Sequence, residues 1–317
     1  MNVIFGSGIV GLLARMILGD SWTIIPFYKS RFFSFNPALD DNFIICDDKI
    51  DPFVKDLSNT IGLSKYLYTR AWSINGSIYK EWDKLLCNDW LSKIFGYRAP
   101  SQAEPYYSSR MNLTVYDLRV NELYEKLLQQ YGDDLKREAS KGLVESIGDH
   151  YFVRGGVRYD FNNAVSTIPL NVLLNLANIS HNLESKPVYY FHIRTDHLDF
   201  EGFNQLLVVD NSFSFFKATN VAPGRYLIYA HEDIHNPGMY FMPFMRDFDL
   251  LDGTTIDGVL PLGDIPKVNL DKFGIFCVGS YAQWDWCMDV GSCILRIINY
   301  SGRGNKPGGK LKEISIS

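Results

Sequence analysis

MNVIFGSGIVGLLARMILGD, residues 1–20, admits three readings: a secretory leader, a plain buried strand and helix, or the first turn of a nucleotide-binding domain. A leader places positive charge first, then an unbroken apolar run, then small residues at a cleavage site. Here no Lys or Arg precedes the apolar stretch, Gly6, Ser7 and Gly8 interrupt it, and Arg15 lies inside it. The stretch is also too broken for a membrane span, which needs about 20 mostly apolar residues. No later stretch is more apolar, so the expectation is a soluble protein with no membrane partner.

Local pattern favours a strand, a tight turn and a helix. Val3, Ile4 and Phe5 form a wholly apolar run of the kind found in parallel strands buried on both faces. Ile9, Leu12, Leu13, Met16 and Ile17 then repeat along one helical face. Gly19 supplies a stop, and WTIIPF (Trp22 to Phe27) a second strand, completing β-α-β. The turn itself, Gly6-Ser7-Gly8-Ile9-Val10-Gly11, has the full G-x-G-x-x-G spacing. In that spacing the first glycine makes the sharp turn, the second lets a pyrophosphate approach the backbone, and the third packs helix on strand. The free N–H groups and positive dipole end of the helix then face the anion. Placed after a strand and before a helix, the motif reads as a dinucleotide site. One element departs from the pattern. The second strand usually ends in Asp or Glu for the ribose hydroxyls, but Pro26-Phe27-Tyr28-Lys29-Ser30-Arg31 follows here.

The 317 residues suit two domains rather than one core. A net charge of -5 leaves no electrostatic footprint for nucleic acid, and the basic GRGNKPGGKLK near the C-terminus reads as a solvated tail. Five cysteines (Cys46, Cys87, Cys277, Cys287 and Cys293) include no C-x-x-C pair, which suits buried thiols in a reducing cytoplasm. His231 and His235 are spaced as ligands on one helix face would be. They follow the strand-like RYLIYA and precede Asn-Pro-Gly, so no metal site is expected. His192 and His197 read as strand and loop residues, and Asp285 and Asp289 as helix N-caps.

Asp51-Pro52 looks like a helix start, with helix expected to continue raggedly to Trp82 and residues 83–120 expected to be irregular. VNELYEKLLQQYG (Val120 to Gly132) is an amphipathic helix with a glycine stop. Beyond it the period shifts from 3.6 to 2. GLVESIGDHYFVRGGVRYDFNNAVSTIPL reads as three strands turned at Gly155-Gly156, then a buried strand leading into a helix with Val172, Leu173, Leu174 and Leu176.

These later stretches carry a resemblance. YDFNNAVSTIPLNVLLNL resembles the segment, in flavoproteins of the UDP-galactopyranose mutase and protoporphyrinogen oxidase-like (amine-oxidase-like) group, where a three-stranded meander precedes a strand ending Ser-Thr-Ile-Pro-Leu. Residues 204–234 are similar to that group's substrate-domain strands. GIFCVGSYAQWDWCMDVGSCILRII (Gly274 to Ile298) resembles its closing strand, turn and helix. The fold implied is α/β: a Rossmann-like FAD-binding domain with a parallel sheet and a β-meander, plus an inserted mixed α/β substrate domain. Segments 1–30, 135–175 and 271–305 would form the first, 31–134 and 176–270 the second, and 306–317 a tail.

The resemblance further implies FAD as cofactor, its pyrophosphate over Gly6, Gly8 and Gly11. Gly279, Ser280 and Tyr281 would lie beside it, at a second helix N-terminus. The family's closing Gly-Arg is Gly279-Ser280 here, so a cation is missing; Arg31, Arg70 and Arg110 are candidates to replace it. Trp284 and Trp286, with Tyr106 and Tyr107, are candidates to line a substrate pocket, because aromatic walls exclude water and stack on planar rings. A mutase arginine position reads Phe216-Lys217-Ala218-Thr219, and the chain is shorter than a typical mutase. The implied activity is therefore FAD-dependent oxidation of a small molecule: an amine, alcohol or saturated carbon. A redox-neutral mutase acting on a nucleotide sugar and a cofactor-free scaffold are the alternatives.

Overall fold

A computed structural model describes residues 1–27, 43–45, 63–75, 77–109, 111–117, 120–194, 202–211, 215–222, 224–230, 249–264, 270–285 and 290–302. The strands are β1 (Asn2–Phe5), β2 (Trp22–Ile25), β3 (Phe43–Ile45), β4 (Lys65–Ile74), β5 (Ser77–Tyr79), β6 (Asn112–Asp117), β7 (Val144–Gly148) and β8 (Tyr151–Arg154). They continue as β9 (Val157–Asp160), β10 (Asn163–Ser166), β11 (Ser185–Arg194), β12 (Gln205–Val208), β13 (Phe215–Ala222), β14 (Arg225–Ala230), β15 (Asp249–Pro261) and β16 (Ile275–Cys277). The helices are α1 (Ile9–Leu18), α2 (Lys84–Phe95), α3 (Ala103–Ser108), α4 (Val120–Ala139), α5 (Leu170–Leu176), α6 (Ser280–Gln283) and α7 (Val290–Gly302).

A four-stranded sheet in the order β16-β10-β1-β2 is parallel throughout, with Phe5 opposite both Ser166 and Ile25. Its strands alternate between two cores, as the period of two requires. Ile4 and Val165 face α1, α4 and α7 through Leu12, Leu127 and Ile294. Val3, Phe5 and Ala164 face the β7-β8-β9 meander and α5 through Phe152, Leu173 and Leu174. The sheet is thus buried on both sides, which is why its strands carry so few polar residues. Behind the meander, Arg154 is 1% exposed and its Nη1 lies 3.1 Å from Glu138 on α4, tying the two layers.

The larger sheet runs β15-β11-β14-β13-β12-β4-β6-β3, with β5 paired to β4. Every pairing in it is antiparallel except β12 with β4. Trp72, Leu207, Phe216 and Tyr229 pack on α2 and α3. There the Trp90 indole donates to the Phe216 carbonyl at 2.7 Å. Ala71, Leu206, Ala218 and Ile228 form a second cluster on the alternate positions.

Three expectations need correction. The helix expected to run to Trp82 is instead β4 and β5 beyond residue 64, while 46–62 lie outside the described residues. Tyr66, Tyr68, Arg70, Trp72 and Ile74 alternate strictly, and aromatic residues suit a pleated surface. The irregular stretch holds α2, α3 and β6; α2 is capped by the Asp83 carboxylate, which accepts from the Leu85 and Leu86 N–H groups. Finally, α4 runs through Gly132 to Ala139, since Leu123, Leu127, Tyr131 and Leu135 keep one face buried. That burial outweighs a glycine cost of about 1 kcal/mol. The same face packs on α1, so α4 stands with the parallel sheet although most of it falls within 31–134.

Candidate nucleotide site

Two glycine turns leave the parallel sheet at the carboxyl ends of its strands, where ligands of open α/β sheets collect. The first follows β1. Gly6 takes φ +112°, a conformation glycine alone adopts freely, and its N–H donates to the Ile25 carbonyl at 3.0 Å. A Cβ on Gly6 would strike the Thr167 hydroxyl, and one on Gly11 would strike the Gly6 carbonyl oxygen. Those two glycines are therefore required by contacts within the chain.

Gly8 differs. Its backbone is extended (φ -69°, ψ 179°), open to any residue, and a Cβ there would meet no atom of the described residues within 4 Å. It is exposed and stands at the N-cap of α1, with no side-chain cap and no acidic residue in the first turn. The N–H groups of Ile9, Val10 and Gly11 have no intrahelical acceptor, as at any helix start. Ser7 is half-buried beside them, and Ile9 is buried, anchoring the helix to the core. A bare helix start with open space before it and no acid in its first turn is suited to receive an anion. The residues here fit a cofactor pyrophosphate.

Between β1 and β16 runs β10, and the residue after it was missed in the sequence reading. The Thr167 N–H (2.8 Å) and hydroxyl (3.1 Å) both donate to the Phe5 carbonyl. Its only sequence signal is its place at the end of the Ser-Thr-Ile-Pro strand. The second turn, at Gly279, takes φ +118°, with the Ala282 Cβ 4.0 Å from where its own would be. It lies two strands from β1, roughly 10 Å at ordinary strand spacing. Ser280 is half-buried and opens α6. That helix has only four residues, and α7 spans Val290–Gly302. Tyr281 lies in α6.

Among the described residues, the pocket candidates Trp284, Tyr106 and Tyr107 pack in hydrophobic clusters. Trp284 is 1% exposed and packs into the core beneath the sheet, its backbone at φ +58° turning the chain inward. Tyr107 packs on Trp90 with ring centroids 4.8 Å apart, and Tyr106 joins the same cluster under the large sheet. Trp286 lies outside the described residues. Of the candidate cations, Arg70 is buried in β4 with its Nε donating to Gln205 at 2.7 Å, far from a role at the glycine turn, while Arg31 and Arg110 lie outside the described residues.

Other candidates resolve similarly. Asp285 is buried with its N–H donating to the Ser280 carbonyl, and 286–289, between it and Val290 of α7, lie outside the described residues. Asp289, His197, His231 and His235 lie outside the described residues, and His192 is half-buried in β11. Burial pushes the Cys87 and Cys277 thiols up to about 12, which keeps them protonated. Lys217 is 2% exposed with its ammonium 4.5 Å from the Tyr229 ring centroid, and burial pulls it down to about 7. No described helix is long and apolar enough to cross a membrane.

Comparison with solved structures places the fold. Reduced UDP-galactopyranose mutase superposes with a TM-score of 0.63 at 11% identity, over 96% of this chain and 94% of that one. A redesigned putrescine oxidase gives 0.54 at 10% identity, over 96% and 98%. A proposed protoporphyrinogen oxidase from an Exiguobacterium species gives 0.56 at 11%, over 96% and 98%. The chain shares the mixed α/β fold of these enzymes from end to end. No family model and no curated protein matches it in sequence.

Proposed function

We propose that this chain is an FAD-dependent oxidoreductase, holding the cofactor pyrophosphate at the first glycine turn. The observation that carries this reading is Gly8 itself, a glycine with open space beside it at an uncapped helix start on the carboxyl edge of a parallel sheet. Neither packing nor backbone conformation demands glycine there, so a close-approaching ligand accounts for it. FAD would supply the hydride acceptor, leaving the protein to bind, orient and exclude water. The N–H groups of Ile9, Val10 and Gly11 would hold the diphosphate. Gly279, Ser280 and Tyr281 would flank the cofactor across β10. In this reading 1–30, 120–175 and 271–305 form the cofactor domain, the boundary moved to take in α4, and the large sheet forms the substrate domain of a cytoplasmic enzyme. Its substrate is a small amine, alcohol or saturated carbon. Lys217, at the position of a mutase arginine, is too buried to meet a substrate diphosphate, which favours oxidation over sugar-nucleotide isomerisation.

Purified protein should carry the visible absorbance of oxidised flavin. Anaerobic addition of amines, amino acids, hydroxy acids and nucleotide sugars should include one substrate that bleaches it stoichiometrically. Colourless protein that takes up no FAD, or activity only in pre-reduced protein with a nucleotide sugar, would overturn the reading.

A further inference from the structure

We propose that Thr167 sets the ligand-receptive shape of the glycine turn, acting as a positioning residue from a strand more than a hundred positions away. The inference rests on the nucleotide reading above and names a residue on which it depends. Two donors of Thr167 converge on one acceptor, the Phe5 carbonyl, at 2.8 Å from the N–H and 3.1 Å from the hydroxyl. That carbonyl belongs to the Phe5–Gly6 peptide plane. Fixing the plane fixes the direction in which Gly6, at φ +112°, leaves the sheet. The opposite side is pinned by the Gly6 N–H on Ile25. Gly11 in turn rests on the Gly6 carbonyl, and its missing Cβ would lie 3.2 Å from the Thr167 hydroxyl. The path from Thr167 to Phe5, Gly6 and Gly11 therefore aims the first turn of α1, whose N–H groups face the space before Gly8. A peptide plane left to rotate would misdirect those donors, and charge-assisted bonds weaken steeply with misalignment.

The hydroxyl is separable from the shape of the side chain. Thr167→Val keeps the volume and the backbone donor but loses the hydroxyl bond. Thr167→Ser keeps the bond and loses a methyl. FAD affinity, measured by quenching of flavin fluorescence, should weaken about five- to ten-fold in Thr167→Val, the effect of one ordinary hydrogen bond. In Thr167→Ser it should stay within about two-fold of the parent, with ADP following the same order. Thermal unfolding without ligand separates binding from folding. Equal affinity in Thr167→Val and parent overturns the inference and leaves the nucleotide reading standing. If Thr167→Val does not fold, Thr167→Ser decides alone: affinity near the parent's supports the hydroxyl, and a loss of five-fold or more overturns it. A parent protein that binds neither FAD nor ADP removes both readings.

Discussion

Substitution at Gly8 should separate binding from stability, because, unlike Gly6 and Gly11, it has no close contact among the described residues that requires a glycine. In Gly8→Val the new side chain enters open space, with no atom of the described residues within 4 Å of its Cβ and an extended backbone already suited to it. Valine is a poorer N-cap than glycine by up to about 1 kcal/mol. Reduced freedom of the unfolded chain returns about 0.4–1 kcal/mol. Ligand-free stability should therefore change by less than about 1 kcal/mol. Binding should change far more. A side chain in the diphosphate's volume displaces it from at least two first-turn N–H groups. Bonds to charged groups contribute about 1.5–3 kcal/mol each, so the loss is at least about a hundred-fold in Kd. Gly11→Ala is the converse. Its methyl meets the Gly6 carbonyl carbon at 3.0 Å and crowds the carbonyl oxygen, both backbone atoms. Overpacking of this kind costs about 1–3 kcal/mol. Thermal unfolding without ligand, paired with flavin titration, reads both quantities. A Gly8→Val protein that holds FAD as tightly as the parent, or that unfolds outright, would refute the reasoning.

Ser280→Arg should tighten FAD retention through exhaustive dialysis, since a charge-assisted bond to phosphate is stronger than one from a hydroxyl; no gain would mean that another group already serves the diphosphate. Lys217→Met should stabilise the protein by a few kcal/mol in denaturant unfolding below pH 7. The folded pKa of about 7 lies below the ordinary lysine value of 10.5, so the unfolded chain binds more protons between them. Parent stability attributable to this group therefore rises with pH across that window. The advantage of the methionine variant should shrink toward pH 10.5, and a constant advantage would show that the amine does not titrate there.

Where local pattern and burial agreed, the sequence was a good guide. The unit β1-α1-β2, the Gly155-Gly156 meander and the strand before α5 each carry their own period and turn residues. α2 was equally legible and overlooked: Asp83 is an N-cap, and Cys87, Trp90, Leu91 and Ile94 recur along one face. β4 was misread because apolar spacing was followed across a Pro-started segment into an alternating one. The aromatic residues could not be assigned by composition, since a buried Trp284 and a pocket tryptophan have the same letter and differ only in backbone direction. Thr167 stands in the Ser-Thr-Ile-Pro-Leu segment, but nothing local to it points to Phe5. Its role comes from β10 pairing with β1, a contact between Phe5 and Ser166 that no local window contains.

That pairing also bears on how the chain assembles. β1 and β2 are neighbours in sequence, but β10 arrives only at Asn163 and β16 at Ile275. Until then β1 presents a bare apolar edge, and sheets of distant parallel strands close slowly because loop entropy must be overcome first. The N-terminal hairpin of strand and helix must therefore wait through the synthesis of the meander before its core can close. Such exposed edges invite aggregation in transit. The Thr167–Phe5 hydrogen bonds cannot form until β10 docks beside β1.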